Sequence, residues 1–203
     1  MKERLKNLFV RSKETLETKT TQPVFARSAS YLVVSLGLLV LPVGLYFNQT
    51  PNGFSIASID AKLEDQNIRP VVGTRSVATL SRLTESLLDK PGGYLSNDVL
   101  PPSVFMDNVP RWEFGVLVQC RDFARALRNT LSRSQSQSTE DQDLVTAENQ
   151  LYFDSQSWLI PQTESEYRKG IGALNRYLVR LGDHARPEAQ FYARADNLSI
   201  WLG

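Results

Sequence analysis

The residues able to do chemistry are few. The chain of 203 residues has one cysteine, Cys120, and one histidine, His184. A nucleophilic thiol needs a nearby base and a partly exposed, electropositive setting. Cys120 instead recurs with Val116, Phe123, Leu127 and Leu131 at helical spacing, so it reads as a core residue. His184, beside Asp183 at a predicted helix end, reads as a partner of helix carbonyls or solvent. One Cys and one His exclude structural zinc and catalytic sites built on two or three histidines. Paired carboxylates would suit glycoside cleavage. Glu113 and Asp122 lie nine residues apart on one predicted helix, too far along its axis. Glu164 and Glu166 fit a helix cap, and Glu140, Asp141 and Asp143 read as a solvated first turn. No P-loop, GxGxxG or GxSxG motif occurs. The expectation is no enzyme, no cofactor and no metal.

The elements that would carry these residues are helical. Thr74 can cap a helix whose stripe is Val77, Leu80, Leu83, Leu87 and Leu88, stopped by Pro91-Gly92-Gly93. A second helix is predicted from about Arg111 to Arg133, and a short one from Ser138 through Ala147. A third long helix follows the capping-box pattern Thr163-Glu164-Ser165-Glu166 with Tyr167, Ile171, Leu174, Leu178 and Leu181. Pro187 is placed to open a last one, with Phe191, Ala195, Leu198 and Leu202 on one face. No hairpin signal or repeat occurs. The predicted class is all-α: a helical bundle with long loops, behind one N-terminal transmembrane helix.

Two loops stand out. Residues 90–110 carry four prolines and two glycines, and are either a packed cover for the core or a binding surface. The candidate interaction surface is Tyr94, Leu95, Val104, Phe105 and Met106, with Trp201 near the C-terminus. Ser132–Thr139 is either a mobile connection or a recognition loop.

Tyr31–Phe47 is a run of seventeen residues without charge. As a helix it spans about 26 Å, close to a hydrocarbon core. Tyr31, Tyr46 and Phe47 sit at its ends as interfacial aromatics do, and Pro42 predicts a kink near the outer end. Seven Lys and Arg precede the run, and the next basic residue after it is Lys62. The positive-inside rule then puts the N-terminus in the cytoplasm and residues 48–203 outside. An uncleaved anchor is expected in preference to a signal peptide, because both the basic and the apolar regions are long. The predicted organisation is a basic cytoplasmic tail over 1–28, a span over 29–47, a linker over 48–73 and a periplasmic helical domain over 74–203. The linker holds short extended pieces near Phe54–Ile59 and Val71–Val72. Residues 3–20 are either a basic amphipathic helix on the inner leaflet or a solvated tail. Net charge is +1, which offers no pull toward nucleic acid.

The stretches LLDKPGGYLSNDVLPP (87–102), WEFGVLVQCRDFARALRN (112–129), SRSQSQSTEDQDL (132–144), ESEYRKGI (164–171) and AQFYARADNL (189–198) resemble, in colinear order, the Gram-negative family called domain of unknown function 2333. The resemblance spans roughly residues 70–202. It implies an inner-membrane protein with one N-terminal span and an external helical domain, and a further section C-terminal to Gly203. It also implies an apolar residue where Cys120 stands, and it carries over no catalytic residue.

The function expected is therefore non-enzymatic: a bitopic inner-membrane protein whose periplasmic domain binds other envelope proteins, as an accessory of cell division or wall assembly. The alternatives are a peptidoglycan-binding or -modifying enzyme and a secretion or transport scaffold. The expected partners are the inner membrane, envelope membrane proteins and a second copy of the chain.

Overall fold

The computed structural model describes residues 24–134, 139–183, 185 and 189–202. The predicted amphipathic tail helix, His184 and Pro187 lie outside them. The chain divides into two compact units, Met1–Val43 and Gly44–Gly203. Among the described residues there are seven α-helices and no strand, so the molecule is all-helical.

Helix α1, Val24–Phe47, is long and apolar enough over its 22 residues Ala26–Phe47 to cross a membrane. None of that stretch is buried, and Tyr31, Leu39 and Leu45 are 74%, 64% and 72% exposed. The Ser30 and Ser35 hydroxyls donate to carbonyls three residues back, which satisfies them inside the helix. α1 starts five residues before the predicted span, because nothing in Val24–Ser28 stops a helix and Arg27 can carry its charge outward. Pro42 is accommodated within it.

The second unit begins with a correction. The stretch predicted to be a linker with extended pieces holds α2, Ile56–Asp65, capped by Ser55, whose hydroxyl accepts from Ser58 N–H at 3.2 Å. Ile59 and Leu63 are one turn apart and buried, followed by Ile68. Two apolar residues sufficed for a helix that touches the core along a single line.

α3, Thr74–Asp89, buries Val77, Leu80, Leu87 and Leu88, and Leu83 packs at their edge. Thr74 is not its cap: Gly73 is, with φ of 95°, while the Thr74 hydroxyl donates to Val71 O. Lys62–Glu85 and Arg75–Asp60 tie α2 to α3 at 3.0 and 2.7 Å. α4, Asn108–Ala126, continues into a π turn, Leu127–Leu131, that brings both of those leucines into the core. It starts before Arg111 because Pro110 is tolerated in a first turn.

α5, Gln142–Leu151, starts later than predicted, where Asp141 accepts from Asp143 and Leu144 N–H. α6, Thr163–Leu181, packs on α3 and α5 and buries the whole predicted stripe. Its predicted capping box is absent. The Thr163 hydroxyl donates to the Asp154 and Ser157 carbonyls, and Gln162 caps without its side chain. Gly170 faces Ala147 O and Gln150 Cβ, so α5 and α6 approach closely.

The last helix, α7, covers Ala195–Leu202 and not the stretch after Pro187. Residues 189–194 form an irregular strap instead, fixed by Tyr192 N–H to Leu131 O and by the Tyr177 hydroxyl to Gln190 O, each 2.6 Å. Phe191 therefore lies on the strap and packs over Gly73.

Candidate functional site

The most chemically unusual group lies where α4 meets the 90–96 loop. Lys90 Nζ sits 2.7 Å from Glu113 Oε1, and both side chains are fully buried. The Glu113 carboxylate also accepts from Leu95 N–H at 2.9 Å and Ser96 N–H at 2.8 Å, and from the Ser96 hydroxyl. Lys90 donates again to Gly93 O. The carboxylate oxygens and two of the three Lys90 protons are engaged without access to solvent, so the pair holds the loop down. The buried face of α4 runs Glu113, Leu117, Cys120, Ala124, Leu127, Leu131, at alternating spacings of four and three. A carboxylate in register with an apolar stripe was the sequence signal for this pair.

Cys120 is 1% exposed, and burial pushes its thiol up to about 11. It lies at the floor of an open apolar groove of 660 Å³ between α2, α3, α4 and the strap. The walls are Ile56, Val72, Leu83, Val116, Phe123 and Phe191, with Arg75 and Gln119 among the polar lining residues. Arg75 already holds Asp60 through two hydrogen bonds. A groove of this size is in the range of binding sites, and its walls suit apolar side chains. Sequence reading missed it because Ile56 and Val72 fell in the presumed linker.

The acidic cluster is not a solvated turn. Arg180 makes 2.7 Å contacts to both Asp141 and Asp143, and Arg176 holds Asp143 at 2.8 Å. The hydrogen bond to Asp141 holds the Arg180 guanidinium above its ordinary value. Glu140 and Glu148 share Arg128 at 2.9 Å each. These pairs join α4, α5 and α6. Glu164 accepts from Asn97 Nδ2, and Glu166 pairs with Lys169, so neither serves the predicted cap. Among the described residues, no group of three or more His, Cys, Asp or Glu is placed to hold a metal ion.

The predicted interaction surface splits. Tyr94 and Leu95 are each 2% exposed and belong to the core, Tyr94 edge-on to Tyr167 at 5.7 Å. They cannot present a surface, because Glu113 pulls their backbone inward. Val104 and Phe105 are exposed and Met106 is half-buried. Trp201 is on α7, remote in sequence, and its side chain lies outside the described set.

A family model described as an uncharacterized protein conserved in bacteria (DUF2333) matches residues 19–203. The chain belongs to this family. No curated protein and no solved structure matches it. For this DUF2333 chain the local geometry, and no relative's chemistry, therefore decides what the site can do. Among the described residues it offers an open apolar groove and a set of ionic contacts committed to the fold.

Proposed function

We propose that this DUF2333 protein is a single-pass inner-membrane protein, N-terminus in the cytoplasm, whose periplasmic helical unit is a non-catalytic docking module for other envelope proteins. The observation that carries the reading is the groove beside Cys120. It is open, aliphatic and aromatic, and its floor thiol is too protonated to act as a nucleophile near neutral pH. Its occupant would be the apolar face of an amphipathic helix from another membrane-associated protein, seated as helices seat in hydrophobic grooves. The topology rests on the uncovered α1 and on the basic residues that precede it. The narrower role, as an accessory of cell division or wall assembly, is part of the same proposal.

A photo-crosslinker at Val72, 64% exposed on the groove wall, tests it in the full chain in membranes. The expected result is a discrete adduct with an envelope protein, lost when Val116→Glu places a charge in the groove. Adducts no stronger than from Val179, exposed on α6, would overturn the docking role. Depletion should produce filaments if the division role holds; normal cell shape would remove it.

A further inference from the structure

Two loops of the second unit leave their largest apolar side chains in water. Leu100, Val104 and Phe105 are 62%, 53% and 79% exposed, and Trp158, Leu159 and Ile160 are 43%, 68% and 98% exposed. The loops share one pin. The buried Asn97 side chain donates to Ser157 O at 3.0 Å and to Glu164 Oε2 at 2.9 Å. Both exposed segments leave from that point, so they form one rim. Neither Val99–Met106 nor Ser155–Gln162 contains a charged residue.

Part of the rim's backbone is satisfied within its own loop. Val104, Phe105 and Met106 N–H donate to Leu100, Pro102 and Ser103 carbonyls at 3.3, 3.0 and 2.9 Å. Pro101, Pro102 and Pro161 have no N–H to satisfy. The Ser157 hydroxyl donates to Pro161 O. Each group satisfied in this way lowers the cost of entering a lipid interface.

The occupant follows from the same unit, which contains the last turn of α1. Within it the Phe47 ring lies against Gly92, where a Cβ would meet ring carbons at 2.7 Å, and Pro102 lies 3.3 Å from the corresponding point at Gly44. The 99–106 loop thus touches the last turn of α1 through Pro102. Only eight residues, 48–55, separate α1 from α2, a reach of no more than about 28 Å. A covalent tether this short supplies a high effective concentration, so a modest apolar surface is enough to engage.

We infer that the rim formed by the 99–106 and 155–162 loops inserts into the lipid interface of the bilayer that holds α1. This rests on the membrane reading of α1, and the test separates the two. The full chain, with Cys120→Ala as background, carries a nitroxide at Ile160→Cys, Phe105→Cys, Leu39→Cys or Val179→Cys in turn. It is placed in vesicles of phosphatidylethanolamine and phosphatidylglycerol. Collision with oxygen, which partitions into lipid, is compared with collision with a water-soluble nickel chelate. The expected result is lipid-like accessibility at 105, 160 and 39, and the reverse at 179. Water-like accessibility at 105 and 160 with a lipid-like 39 overturns the rim and leaves the anchor standing. A water-like 39 overturns both. Shielding at 160 in native membranes but not in the vesicles overturns the lipid assignment in favour of a protein cover.

Discussion

At the scale of single residues, the Lys90–Glu113 pair is a fully buried ion pair and the most informative arrangement among the described residues. Removing one partner of a buried pair leaves an uncompensated charge, typically at a cost of 3–5 kcal/mol. Glu113→Gln should therefore destabilise the second unit by about that amount, read as a fall in the denaturation midpoint, while Asp122→Asn, on the same helix, should change little. Cys120 carries a second prediction. Its folded value, about 11, lies above its ordinary 9.0 because burial penalises the thiolate. The unfolded chain thus ionises first as pH rises, and the stabilisation present below pH 9 is lost on approach to 11. Tyr94 and Tyr177, raised chiefly by burial, act in the same direction. Alkylation of native protein at pH 8 should be far slower than of unfolded protein, and Cys120→Ala should flatten the alkaline loss of stability. The core place of Cys120 was legible from spacing alone. Glu113 was not, because spacing alone does not distinguish a candidate catalytic carboxylate from a buried anchor for backbone amides.

At the scale of elements, legibility tracked the length of the apolar stripe. α3, α4 and α6 repeat their stripe over about three or more turns and were found, with small shifts at their ends. α2 and the strap were misread in opposite senses. α2 touches the core through too few side chains to show a period, whereas residues 189–194 show an apolar spacing that two backbone contacts to Leu131 and Tyr177 override. The start of α5 shows why caps decide ends. Asp141 both accepts from two amides at the helix start and receives Arg180. Asp141→Asn keeps the cap and loses the ion pair, whereas Asp141→Ala loses both. The alanine variant should be the less stable by about 1 kcal/mol, the worth of a cap, measured by chemical denaturation. Gly73 sets the other junction. Its φ of 95° suits glycine, and a Cβ there would meet the Phe191 ring at 2.2 Å. Gly73→Ala should loosen the strap, detected as faster hydrogen exchange at the Tyr192 amide with α6 unchanged.

For the molecule as a whole, the proposed membrane anchoring makes α1 and the helical unit answer to different solvents. The second is stabilised by burying Leu, Ile and Tyr side chains against water, so urea opposes it directly. No residue of Ala26–Phe47 in α1 is fully buried within the protein, and its backbone bonds are made within one segment. In a bilayer or micelle such a helix stays formed, because breaking it would leave polar groups unpaired in hydrocarbon. Urea titration of the full chain in micelles should therefore show one cooperative loss of ellipticity that levels off above zero. The residual signal should correspond to a helix of about the 24 residues of α1. The Lys90–Glu113 variants should move the transition and leave the residual unchanged, since no residue of that pair belongs to α1. Complete loss of ellipticity in a single step would mean that α1 depends on the helical unit for its structure and would remove the membrane as its solvent.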